Sequence, residues 1–234
     1  MNTQSLPLSA SLFGKTVGGI LAVLLAVSTL GHAQQSAFTD TFEAPFLILT
    51  QTFGTVTLSG DVNHTIKGTQ SLKFTSSSGG QREMHATRSL ASHISGTFSV
   101  WFYDVAPGEE TLYEHIALSD SVSGWNASIG TQDFDAYCYM TQLYNSGTGA
   151  NLGPNANCGS YPQVTTTARS RTVGWHNLKI AAGLTQITFS IDGVVVFTHK
   201  GHFTFDSIDL AMSGPYWRPD TVAYFDDLVV KPLS

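Results

Sequence analysis

Aromatic rings flanked by hydrogen-bonding side chains are the residues of this sequence best suited to a chemical task. Pyranose C–H faces stack on Trp and Tyr, while Asn, Gln, Asp and Arg read sugar hydroxyls. In GTFSVWFYD, Trp101 and Tyr103 alternate with Phe98, Val100 and Phe102, which places the two large rings opposite an apolar face. Tyr137 and Tyr139 share one face of the run from Ala136 to Tyr144, with Cys138 and Met140 expected on the core side. His115 and Trp125 fall on neighbouring runs. The segment SGPYWRPD sets Tyr216, Trp217 and Arg218 between two prolines, which stiffen a loop and hold its rings ready at low entropic cost. The expected ligand contacts are therefore Trp101, Tyr103, His115, Tyr137, Tyr139, Tyr216, Trp217 and Arg218.

Catalytic patterns are scarcer. Glu109 and Glu110 adjoin Pro107 and Gly108 and read as solvated loop charges. Glu114 and His115 are chain neighbours, so on a strand they point to opposite faces and cannot act jointly. No G-x-S-x-G elbow, H-E-x-x-H zinc motif or phosphate-binding glycine loop occurs. His199 and His202 are the one close histidine pair.

The elements that position these residues read as strands. Short runs with period-two alternation, divided by Gly, Pro, Asn and Asp, recur along the chain. They are Phe53 to Leu58, Ser71 to Ser76, Gly96 to Asp104, Glu114 to Asp120, Trp125 to Gly130 and Ala136 to Tyr144. Trp175 to Ala181, Gln186 to Ile191, Val194 to His199, Phe205 to Met212 and Ala223 to Val230 complete the series. Asp192-Gly193 between two apolar alternations is a strong hairpin signal. About eleven strands at this spacing predict an all-β antiparallel sandwich, with a closed barrel as the rival. Trp175, opening an apolar strand, is expected in the core.

Residues 1–33 read as a signal peptide: Lys15, the apolar run ILAVLLAV, then Gly31 and Ala33 at a small-residue cleavage site. The apolar run is too short to span a bilayer. Residues 34–234 then form the mature β-sandwich domain, exported from the cytoplasm. It carries 10 basic and 17 acidic residues, a net charge of −7. That balance, with no basic cluster, argues against nucleic acid and anionic membrane as partners. Cys138 and Cys158 in an exported chain suggest one disulfide across a loop rich in Asn, Gly and Ser. Two free thiols are the alternative. Asn63-His64-Thr65 and Asn126-Ala127-Ser128 are glycosylation sequons.

The order of several short motifs resembles the concanavalin A-like, or laminin-G-like, jelly-roll superfamily. Asp40-Thr41-Phe42-Glu43 is similar to an opening D-x-F-E, and Gly68-Thr69-Gln70-Ser71-Leu72 to a G-x-x-S-L strand entry. Gly174-Trp175-His176 through Ile180, followed by Asp192-Gly193, resembles G-W-H-x-L-x-I…D-G. Tyr224-Phe225-Asp226-Asp227-Leu228 resembles a closing Y-x-D-D-L strand. The resemblance implies a two-sheet jelly roll. It also implies a structural Ca²⁺ held by Asp40, Glu43 and Asp226, with Asp227 behind, as in carbohydrate-binding modules with similar ends. Glucanases of this fold carry E-x-D-x-E or E-x-D-x-x-E on one strand, and neither occurs here. Lyases of the fold pair a Tyr or His base with Arg or Gln. Arg82, His85, His115, Tyr139 and Arg218 are the residues that could be so arranged. The leading expectation is binding of a neutral or weakly charged glycan without catalysis. A polysaccharide lyase or glycoside hydrolase is the second reading, and a structural or adhesive surface domain the third.

Overall fold

A computed structural model describes residues 37–43, 49, 51–76, 83–105, 113–132, 135–152, 169–213 and 221–233, without the side chains of residues 51, 52, 132 and 135–137. The expected signal peptide, the loop holding Tyr216, Trp217 and Arg218, and Cys158 lie outside the described residues.

The strands are β1 (Phe38–Asp40), β2 (Gln51–Phe53), β3 (Thr55–Ser59), β4 (Ser71–Thr75) and β5 (Glu83–Ile94). β6 (Gly96–Asp104), β7 (Tyr113–Ser119), β8 (Trp125–Gln132), β9 (Asp135–Asn145) and β10 (Ala150–Asn151) follow. β11 (Gly174–Ala182), β12 (Gln186–Ile191), β13 (Val194–Lys200), β14 (Phe205–Ser213) and β15 (Val222–Pro232) complete the set. The first sheet runs β13-β12-β11-β6-β15-β4-β3, with β1 beside β15; the second runs β10-β9-β8-β7-β14-β5-β2. The pairings are antiparallel. This is a two-sheet antiparallel sandwich, as the alternation predicts.

Alternation decides what faces what. Phe98, Val100 and Phe102 of β6, Leu178 and Ile180 of β11, and Phe225 of β15 are fully buried between the sheets. They meet Met84, Ile116, Leu210 and Met212 from the second sheet, also fully buried. Each such side chain contributes about 1.5–3 kcal/mol of apolar transfer. The β12–β13 hairpin turns at Asp192 and Gly193, both with positive φ (50° and 77°), as a two-residue primed turn requires.

Two expectations need correction. Trp175 is half-buried on the outer face of β11, because Leu178 and Ile180 fix the inward parity and 175 falls on the other face. The second is β5, a twelve-residue strand in the region EMHATRSLASHI, where no strand was expected. Its alternation breaks after Ala86, a bulge interrupts its pairing with β14 between Ser89 and Ile94, and its Ala, Arg and Leu content lacks the β-branched signature.

Candidate functional site

The outer face of the first sheet holds Trp101 and Tyr103, as expected from β6. They do not stand free. The His64 ring stacks on Trp101 with centroids 3.9 Å apart and planes 18° from parallel. Trp175 meets His64 edge-on at 5.6 Å and Tyr103 at 5.2 Å. Tyr224 packs against Tyr103 at 6.4 Å and donates its hydroxyl hydrogen bond to Asp61. The connection between β3 and β4 thus lies over these rings.

The same connection binds the acids at the chain's two ends. Glu43 accepts hydrogen bonds from the Thr69 amide (2.7 Å) and the Gln70 amide (3.2 Å). A Cβ on Gly68 would lie 2.1 Å from Glu43 Oε1, so any side chain there would make the Glu43 carboxylate move. A bulge in β15 after Asp226 turns Asp226 and Asp227 toward residues 64 and 65. Buried Asp226 accepts from the His64 amide (2.8 Å), the Thr65 amide (3.1 Å) and Thr65 Oγ1 (3.1 Å). Asp227 accepts from Thr65 Oγ1 (2.7 Å) and lies 2.6 Å from His64 Nδ1. Asp40 pairs with Leu228 and accepts the Phe42 amide at 2.9 Å. The donor chemistry is the hard-oxygen kind calcium takes. The hydrogen bonding fits it poorly, because Asp226 and Glu43 already spend their oxygens on protein donors. Among the described residues no group of three or more His, Cys, Asp or Glu is placed to hold a metal.

Tyr139 takes the inward face of β9, 2% exposed, the reverse of the expected orientation. Leu143 and Thr141, paired with Ala127 and Ile129, set that parity. The Tyr139 hydroxyl donates to Asp104 at 3.0 Å, and Arg171 holds the same carboxylate bidentately at 2.8 and 2.9 Å. Burial, with Asp104 beside it, pushes the Tyr139 phenol up. Glu114 is fully buried nearby, and burial followed by the Asp104 charge raises it well above the usual carboxylate range. Cys138 and Met140 are buried too, on the opposite side of β9 from Tyr139. The Tyr137 side chain lies outside the described residues.

His115 faces outward from the second sheet, and the residues around it form the best-built polar group on that face. Register places Phe53, His85, Ala211, His115, Gly130 and Met140 side by side on six adjacent strands. Asp209, one position along the face, lies 2.8 Å from His85 Nδ1. An ionised carboxylate can only accept, so Nδ1 carries the proton, and in the neutral ring Nε2 then keeps its lone pair. That bond raises the His85 pKa, and burial raises Asp209. Asp209 Oδ1 is buried without a hydrogen-bond partner, and so is His115 Nδ1. Burial, then the nearby His85, drives His115 down to about 3, so it is neutral at physiological pH. Tyr113 leans on its ring at 4.2 Å. Gly130 makes this approach possible, because a Cβ there would lie 1.9 Å from Glu114 O and 2.6 Å from His115 Cα. A dimple of about 10 Å³ beside Tyr113, His115 and Gln142 has room for at most one water.

Of the sequence-predicted ligand residues, the described ones therefore divide among three places. Trp101 and Tyr103 share the first outer face, His115 is on the second, and Tyr139 is inside. Asp209 and Gln142 were not anticipated. Asp209 sits in DSIDLAMS, where alternation alone would have set it outward, but nothing local marks its partner His85.

No protein-family model matches the sequence, and no curated protein matches it. Solved structures do. The cellulose-induced protein Cip1 aligns at TM-score 0.57 with 14% identity, over 82% of this chain and 96% of its own. The Bacillus licheniformis β-glucanase aligns at TM-score 0.56 with 10% identity, over 86% and 100%. A Bacteroides ovatus mixed-linkage glucan GH16 protein in complex with a G4G4G3G product aligns at TM-score 0.57 with 11% identity, over 82% and 99%. Together with the two antiparallel sheets, these similarities show that the chain has the concanavalin A-like jelly-roll fold.

Proposed function

We propose that the protein binds a neutral or weakly charged glycan along the outer face of the second sheet. The observation that carries this is the row of rings around His115 on that outer face. Ala211, Ala117, Gly130 and Ser128 make a low floor, and Phe53, His85, Tyr113 and His115 supply rings above it. Phe53 is 52% exposed. Structural neighbours include a glucanase and a protein in complex with a glucan product, which agrees with this ligand class. Trp101 and Tyr103 then serve as a packed cluster under residues 60–70 rather than as a platform. Trp217 in its proline-flanked loop is a further candidate ring. The test is retention on insoluble β-glucan and other neutral polysaccharides. His115→Ala should cut retention at least about tenfold, equivalent to about 1.4 kcal/mol, with folding preserved. Unchanged retention would remove the proposal.

The His85–Asp209 pair favours one second reading. With Nδ1 held by the carboxylate, Nε2 could remove the C5 proton of a uronate residue. The electron pair would form C4=C5 as the C4–O bond breaks and the leaving oxygen takes up a proton. The product would absorb in the ultraviolet, and Asp209→Asn would suppress it. Two-carboxylate hydrolysis has less support, since Glu114 points inward.

Export with removal of residues 1–33 and a Cys138–Cys158 disulfide complete the proposal; no helix among the described residues is long and apolar enough to cross a membrane. N-terminal sequencing and thiol titration of secreted protein test both. A structural Ca²⁺ at Asp40, Glu43 and Asp226 is likewise proposed, and it requires the Thr65 and Thr69 donors to give way. A melting temperature unmoved by Ca²⁺ or chelator would dismiss the ion.

A further inference from the structure

Farther along the outer face of the second sheet runs another row. Ser89, Ser207, Ser119 and Asn126 are register partners on β5, β14, β7 and β8. Ser119 is four residues from His115 on β7, so the rows lie about 13 Å apart at strand rise. Three hydroxyls and an amide stand at successive strand spacings of about 4.8 Å. They line a cavity of about 340 Å³ together with Trp125 and Leu90. That volume is at the small end of small-molecule pockets. The Trp125 ring is fixed by an edge-on contact with Phe203 at 5.6 Å.

The charges at the cavity select against anions. Asp120 is committed to its turn, accepting from the Val122 and Ser123 amides, each at 2.9 Å, and from Thr204. Asp206 accepts from the Ser121 amide at 3.1 Å and its hydroxyl at 2.5 Å. His93 lies between the two carboxylates, 3.3 Å from Asp120 and 3.6 Å from Asp206. The two carboxylates give the cavity an acidic rim, while the groups of the row are neutral donors and acceptors. A tryptophan lining the cavity beside a hydroxyl-and-amide row is chemistry suited to an uncharged sugar.

We infer that this cavity is a second saccharide site, separate from the His115 row, taking one or two neutral sugar residues such as a chain end or branch. It takes its ligand class from the glycan reading above, and the test keeps the two apart. The protein is titrated with cellobiose, maltose and N-acetylglucosamine while the Trp125 indole N–H is followed by nuclear magnetic resonance, assigned with Trp125→Phe. The expected result is a saturable shift with at least one of these sugars. Ser119→Leu, which fills the cavity from the solvent face, should abolish the shift, and Asn126→Ala should weaken it several-fold. His115→Ala should leave it intact. An indole signal that none of the three sugars moves overturns the inference, as does a shift that survives Ser119→Leu. Loss of the shift in His115→Ala would merge the rows into one site, ending this inference while leaving the glycan reading in place.

Discussion

Glu114 and His115 are neighbours on β7, yet they belong to two polar clusters with opposite designs. Glu114 points between the sheets, toward Asp104, Arg171, Tyr139 and Thr131. His115 points out, toward Tyr113, His85 and Asp209. Inside, Arg171 clamps Asp104, and burial pushes the Glu114 pKa well above the usual carboxylate range. Outside, the His85 and Asp209 side chains stay partly exposed, at 35% and 22%. A sealed cluster specifies packing, whereas a partly exposed one keeps charged groups in reach of water. The single step along a strand that separates the two is what makes the difference legible.

The largest effect should come from breaking the sealed cluster. The Arg171 and Asp104 side chains are 1% and 0% exposed. Arg171→Met leaves a buried carboxylate without its counter-ion, and should cost about 3–5 kcal/mol in urea unfolding. The double variant Asp104→Leu with Arg171→Met should recover much of that, because a desolvated pair and an apolar replacement are often close in free energy. A single variant costing under about 1 kcal/mol would mean water reaches this cluster, and the contrast with the outer face would dissolve.

Next in size is the open cluster's own bond. Asp209→Asn removes the negative charge and with it the main reason for the raised His85 pKa. The His85 titration midpoint, followed by its ring proton signals, should fall toward the ordinary histidine value of about 6.5. The same change should lower glycan retention while urea stability moves by about 1.5–3 kcal/mol, the range for one hydrogen bond to a charged group. A His85 midpoint that does not move would show that the 2.8 Å contact does not control its proton.

The strands were legible wherever bulky residues alternate with polar ones. GTFSVWFYD announces both its inward face and its outward rings, and Asp192-Gly193 announces its hairpin, because the cause in each case is local. β5 was hidden since its inward residues after Met84 and Ala86 do not keep a regular period. Tyr139 was misplaced because both parities of YCYMTQL offer something buriable. Only the pairing of Leu143 with Ala127 decides between them, and that is a property of β8. The acids at the two chain ends did converge on one connection, as the D-x-F-E and D-D-L motifs implied. What those acids bind there is set by the His64, Thr65 and Thr69 donors, which no motif specified. The His85–Asp209 pair joins residues 124 positions apart, so its existence depended on strand order alone.

The smallest effects are in the pH dependence of stability, where the two clusters should pull in opposite directions. Glu114 has a folded pKa above its ordinary 4.5, so between those values the folded state holds more protons than the unfolded one. Its contribution is complete below 4.5 and declines as pH rises toward the folded pKa. His115 is depressed from 6.5 to about 3, so over that interval the unfolded state holds more protons. Its contribution is complete above 6.5 and declines as pH falls toward 3. Glu114→Gln should therefore flatten the loss of stability on the rising side, and His115→Gln the loss on the falling side. Urea midpoints measured at intervals from pH 4 to 8 separate the two slopes. If Glu114→Gln left the rising side unchanged, the buried carboxyl would be ionised in the folded state, and the sealed cluster would carry an uncompensated charge that its geometry does not accommodate.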